Sequence, residues 1–269
     1  MTQFNQFRIR LRTGGFRFPK EHGLSSIWVG AVGLGIGLSL YSSFDFIGLL
    51  ISLAFALSIL FSSDSLMVQV KRKPEEIEWM PPLAILVTSL GMIVWSFKIE
   101  LLLVMGLMGV LTLGYLLTSM KSKKQTPTEL ILGSVSMGLL PTCIYLVIAV
   151  NITVEAFTEI LLINWSYIGV AVIHIQYVET LRDKISIRNF LYSWIVFLGS
   201  LVIPVSLQIV ELVIFIPLVE PTIFVLLQTI RKEKIKESKR SIKLIGLQLM
   251  FRLWIAVALL IILYFLIIP

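Results

Sequence analysis

Apolar residues fall in long runs along this chain, each close to 20 residues, separated by short connections that carry most of the charge. About 20 residues of helix span the hydrocarbon core of a bilayer. A helix also satisfies its own backbone N–H and C=O groups where no water can. None of the runs shows the apolar/polar alternation of a barrel strand. The pattern predicts an all-α, polytopic integral membrane protein with about nine transmembrane helices. The predicted spans are 24–42, 44–62, 81–97, 99–119, 129–150, 155–178, 189–208, 209–230 and 243–268. Gln208 and Glu211 mark the turn between the seventh and eighth. Residues 1–18 are read as a basic cytoplasmic tail, with Phe4, Phe7, Phe16 and Phe18 among arginines, and 19–269 as a single transmembrane helical domain.

Composition agrees. Hydrophobic residues make up 57% of the chain and charged residues 14%, against about 45–50% and about 25% in soluble domains. Mean hydropathy is +0.93. The charges then test the span count. With nine spans, the N-terminus and every even-numbered connection lie on one side, and that side holds 21 of the 23 lysines and arginines. Lys98 alone falls on the other side, and Arg252 lies inside the last span. Lys/Arg bias sets orientation, so the N-terminus is expected in the cytoplasm and the C-terminus outside the cell membrane. The net charge of +7 reflects that topology, and no nucleic-acid partner is expected. Arg8, Arg10, Arg12 and Arg17 precede the first run without a short h-region and cleavage site, so that run is expected to stay as a span.

The small motifs are weaker. Gly30, Gly33, Gly35 and Gly37 follow no strand, so they do not make a dinucleotide loop. Gly33-x-x-x-Gly37 reads as close helix packing in lipid. Pro141, Pro204, Pro217 and Pro221 fall inside spans and predict kinks. Cys143 is the only cysteine and excludes an internal disulfide.

Polar groups within or beside the spans are the candidate chemistry, because a charge at bilayer depth costs at least a few kcal/mol and usually meets a partner or a watery cavity. Glu220 and Arg252 fall at nearly the same depth on neighbouring antiparallel spans, which predicts an ion pair. The pair is either structural or part of a ligand cavity that Arg252 and Gln248 reach. His174, Gln176, Tyr177, Glu179, Arg182 and Asp183 end the sixth span. Glu179-x-x-x-Asp183 places two carboxylates one turn apart, where they suit Mg²⁺ with water and phosphate oxygens completing its shell; the plainer reading is a solvated helix end. Ser63-Asp64-Ser65 and Lys71-Arg72-Lys73-Pro74 end the second span. Phe18-Pro19-Lys20-Glu21-His22-Gly23 opens the first, and Glu129 starts the fifth. All these groups except Glu220, Arg252 and Gln248 map to the basic side.

Pro19-Lys20-Glu21-His22-Gly23 resembles the opening motif of the YwiC-like membrane proteins, and Tyr177-Val178-Glu179-Thr180-Leu181-Arg182 resembles their later pattern. The basic connection leading into Ile245-Gly246 is similar too. That family implies no particular activity. The nine-span layout also resembles the UbiA superfamily of intramembrane prenyltransferases, which carry two Asp-rich motifs after the second and sixth helices. In that family Mg²⁺ bridges these motifs to an isoprenyl diphosphate. Glu179 and Asp183 match the second motif. The first is degenerate: Ser63-Asp64 stands where Asn-Asp would be, and Met67 and Lys71 replace further aspartates.

The resemblance implies a UbiA-like bundle with a lipid or prenyl cavity open to the cytoplasmic side and, as an enzyme, a Mg²⁺-dependent prenyltransferase. Asp64, Glu179 and Asp183 would hold the metal. Lys20, Arg72, Lys73, Lys121, Gln176, Arg182, Gln248 and Glu220 would contact an isoprenyl diphosphate or other lipid, and the candidate catalytic groups are His22, Glu21 and Arg252. The alternatives are a carrier or binding protein for a small solute or lipid, and an accessory membrane protein without catalytic activity.

Overall fold

The structure is a computed structural model. It describes residues 22–72, 79–121, 127–181, 186, 188, 190–192, 194–195, 206, 216–230 and 239–267. Its helices are α1 (His22–Ser39), α2 (Phe46–Arg72), α3 (Met80–Ser96), α4 (Ile99–Lys121), α5 (Pro127–Gly138), α6 (Leu140–Ile148), α7 (Val154–Leu181), α8 (Ile216–Ile230) and α9 (Lys239–Ile267). There is no strand among the described residues, only one isolated bridge between Phe44 and Ala149. Four stretches are long and apolar enough to cross a membrane: Ile99–Ser119, Ile131–Ile148, Val154–Leu181 and Leu244–Leu266. Ile27–Ser39, Phe46–Ser62 and Met80–Ser96 are shorter apolar helices.

The helices depart from the predicted spans in two places. The second does not stop at 62; α2 runs on to Arg72 and carries Asp64 and Lys71 in helical backbone. The predicted span 129–150 is two helices. The chain turns at Leu139, and Pro141 sits in the first turn of α6, where its missing N–H costs nothing. Pro217 is the second described residue of α8, and residues 207–215 before it lie outside the described residues. Pro204 and most of the span 189–208 lie outside the described residues.

Helix α1 packs on α6, α9, α2 and α7, and its glycines make that possible. A Cβ at Gly35 would meet the Pro141 carbonyl at 2.7 Å, and one at Gly37 would meet Ile261. At Gly30 it would meet the Tyr167 hydroxyl at 2.5 Å, and that hydroxyl donates to the Ile27 carbonyl. Gly33 has nothing within 4 Å, so the expected Gly33-x-x-x-Gly37 contact is replaced by Gly30, Gly35 and Gly37. Away from this core the helices turn apolar faces outward. Leu83, Leu86, Val87, Leu90 and Val94 on α3 are exposed, as are Leu103, Leu107, Val110 and Leu117 on α4 and Leu247, Phe251, Ile255, Leu259 and Ile262 on α9. Each set follows helical spacing. Stripes of this extent suit hydrocarbon better than water.

The connections α1–α2, α3–α4 and α6–α7 meet at one end of the bundle. Asp45 N–H donates to Ile148 O at 3.0 Å, and Val150 N–H to Ser43 O at 3.1 Å. The Trp95 indole donates to the Asp45 carboxylate. Lys98 Nζ donates to Leu146 O at 2.7 Å and to Ala149 O. The Trp95 bond is the main force holding the Asp45 carboxyl below the usual range. Burial pushes the Lys98 ammonium below the ordinary lysine value, against the pull of Glu100 and Asp45. This end carries Asp45, Glu100, Glu155 and Glu159 with Lys98 as its single described lysine.

Candidate functional site

Helix α7 changes character along its length. Its first turns bury mainly one stripe, Ile160, Ile163, Asn164 and Tyr167. From Ile173 onward burial goes nearly all round: Ile173, His174, Gln176, Tyr177, Glu179, Thr180 and Leu181 are all buried. Gln176 is 2% and Glu179 5% exposed. Side chains three apart share a helix face, so the amide and the carboxylate point the same way. The solvated-end reading of Glu179 is therefore overturned: this end is enclosed. Thr180 donates back to the Gln176 carbonyl at 2.7 Å. Gln176 Oε1 and the Tyr177 hydroxyl have no hydrogen-bond partner among the described residues. Buried polar atoms are usually paired, so these two stand out as exceptions on α7.

Neighbouring helices bring more polar groups to the same level. Gly138 of α5 meets Ile168 of α7. The two helices run antiparallel, so counting back at ~1.5 Å per residue puts Glu129 level with Tyr177. Glu129 is fully buried, in the first turn of α5, where the helix dipole favours an acid. The Ile27–Tyr167 bond sets α1 against α7 in the same way and puts the backbone of His22, the first residue of α1, level with Val172, within one turn of His174. Closer to the middle, Asn164 donates to Thr142 across α6 and α7, a link that nothing in the sequence pattern announced.

The Glu220–Arg252 ion pair forms between α8 and α9. The Arg252 guanidinium also lies over the Phe224 ring, 3.8 Å from its centroid. The pair is not part of the polar α7 end. Gly37 against Ile261 sets the register of α9 on α1, and this places Arg252 near the level of Tyr167, about 13–18 Å along the axis from Gln176 and Glu179. The two charged side chains are 34% and 58% exposed, and Gln248 is exposed. They stand on an outward flank, so Arg252 and His22 do not share a level and Gln248 does not face an enclosed cavity.

Of the other predicted site residues, Lys20, Glu21, Lys73, Arg182 and Asp183 lie outside the described residues. His22, Asp64, Arg72 and Lys121 are described as helical backbone only. Among the described residues no group of three His, Cys, Asp or Glu side chains is placed to hold a metal. Glu129 and Glu179 alone do not make a Mg²⁺ site, which takes oxygen donors from several groups. The chain matches no family model, no curated protein and no solved structure.

Proposed function

We propose that this chain is a nine-span membrane protein of the UbiA-like, YwiC-like kind, with its N-terminus in the cytoplasm. The buried polar end of α7, toward the basic connections, would receive the headgroup of an isoprenyl diphosphate or a related anionic lipid. The observation that carries this reading is the C-terminal half of α7, buried nearly all round yet furnished with Gln176, Tyr177 and Glu179. Polar side chains are retained in so enclosed a place when a ligand meets them. Lys and Arg of the flanking connections would neutralise the phosphates, and Gln176 and Tyr177 would donate hydrogen bonds to their oxygens. Mg²⁺ enters the proposal only if Asp64 and Asp183 join Glu179, and no step is assigned to it here.

The test is binding of geranylgeranyl diphosphate to the purified full chain, with and without Mg²⁺. Saturable binding is expected, weakened at least ~10-fold in Tyr177→Phe, which removes a donor to the phosphate oxygens, a loss of about 1.4 kcal/mol. No binding at ~1 mM, or equal binding by the variant, overturns the reading.

The carrier reading, with Glu220–Arg252 as a mid-membrane gate, has less support. Arg252 is already held by one carboxylate and one aromatic face, as a structural pair would be.

A further inference from the structure

The outward flank that carries Glu220 and Arg252 holds charge where hydrocarbon is expected. Arg252 follows Leu244, where the apolar stretch Leu244–Leu266 begins, by eight residues, about 12 Å of helix. Its level on the bundle is that of Tyr167, halfway along α7. The Arg252 side chain is 34% and the Glu220 side chain 58% exposed. A charge at that depth usually meets a partner or a watery cavity, and this pair is satisfied only in part. One carboxylate takes at most two of the five N–H donors of a guanidinium, and the Phe224 ring covers one face. The remaining donors, and the free lone pairs of Glu220, have no water to receive them in lipid.

The residues beside the charges are spaced to meet another helix. The exposed positions of α8 include Ile216, Glu220, Ile223 and Leu227, and on α9 the exposed Gln248, Ile255 and Leu259 line up with Arg252. Both stripes step by four, three and four residues, the spacing of a seam that receives the side chains of a facing helix. Lipid asks for no polar group in such a stripe, whereas glutamine and charged side chains bond across helices.

The patch is also complementary to itself. Helices α8 and α9 pack side by side, and the ion pair puts Glu220 and Arg252 at one depth. Copies inserted in the same orientation are related by a two-fold axis along the membrane normal. Such an axis, passing in front of the two helices, sets α8 of each copy against α9 of the other. Each guanidinium then faces the partner's carboxylate at equal depth. A patch of one sign would repel itself under the same operation.

We propose that the Glu220–Arg252 flank is the interface of a symmetric homodimer. The two ion pairs close on each other, and Ile223, Leu227, Gln248 and Ile255 exclude lipid around them.

Sedimentation equilibrium of the full chain in density-matched detergent reads the oligomeric state. A reversible dimer is expected, weakened at least ~10-fold in Ile255→Trp, which crowds the seam and leaves both charges in place. Val87→Trp, on the exposed face of α3, should leave the dimer unchanged. The double variant Glu220→Arg with Arg252→Glu keeps the pair but exchanges its ends. It should dimerise with itself and not with the wild type, because a mixed dimer sets like charges face to face. Native mass spectrometry of the two chains, one of them isotope-labelled and both reconstituted together, reads that preference. Should the double variant not fold, Ile255→Trp against Val87→Trp decides. A monomer up to ~100 μM, with lipid or another part of this chain covering the flank, overturns the proposal. So does a dimer indifferent to Ile255→Trp, or free mixing of the wild-type and exchanged chains. The diphosphate assay reads the polar end of α7, so either result leaves the other standing.

Discussion

The two ends of the bundle use polar side chains in opposite ways. At the acid-rich end, Lys98, Trp95, Ser96 and Asp45 each reach across to another connection or helix and bond there: Lys98 and Ser96 to the Leu146 carbonyl, Trp95 to the Asp45 carboxylate, and the Asp45 N–H to Ile148. These groups tie three connections into one cap. At the basic end, Gln176 and Tyr177 are more deeply buried, yet Gln176 Oε1 and the Tyr177 hydroxyl bond to nothing among the described residues. A polar group that closes a structure contributes stability. One that stays buried without a partner costs stability and persists where function needs it. The contrast is the ground on which the proposed function rests at the basic end.

Stability measurements on matched variants would break the comparison if it is wrong. The largest effect is expected from Lys98→Met. It removes a charged donor and leaves the Leu146 and Ala149 carbonyls short of a partner, at a cost of about 2–3 kcal/mol, read as a lower melting temperature in detergent. At the other end, Gln176→Leu should be neutral or stabilising by about 1 kcal/mol, because it removes an unpaired buried amide, while abolishing the proposed lipid binding. A Gln176→Leu protein as unstable as Lys98→Met would mean that both ends are structural.

Much of this was legible in the sequence, because membrane helices are written in long one-dimensional runs. The grouping of the three connections at one end followed from span counting alone, and the Asp45, Lys98 and Phe44–Ala149 contacts bear it out. The Glu220–Arg252 pair was also readable, since two opposite charges in neighbouring apolar runs have few other partners. What did not follow was lateral placement. Depth can be counted in residues, but which way a side chain points around its helix depends on neighbours that the pattern does not name. Between a structural pair and a cavity reached by Arg252 and Gln248, depth alone did not choose, and the partly exposed Arg252 and exposed Gln248 stand on an outer flank. Gly33 was chosen by spacing, yet it faces open space beside glycines that do pack. Tyr177 carried the signal of a polar tip on a middle span, but nothing marked its hydroxyl as unpaired.

The smallest effect expected is a pH dependence of the cap. The Trp95 hydrogen bond holds the Asp45 carboxyl below its unfolded value of 3.8. A group with a lowered folded-state value contributes stability that is present above the unfolded value and lost as pH falls through the folded one. Melting temperature should therefore drop between pH ~5 and pH ~3, and the drop should be shallower in Asp45→Asn. Lys98 adds the opposite end of the range: its ammonium is lowered from 10.5 by burial, so folding gains as pH rises toward that value. Neither trend should appear in the diphosphate affinity, because the cap is a fastening and the proposed site lies at the other end. An Asp45→Asn protein with the same acid profile as the wild type would show that some other carboxylate governs this end, and Glu159 would be the next to examine.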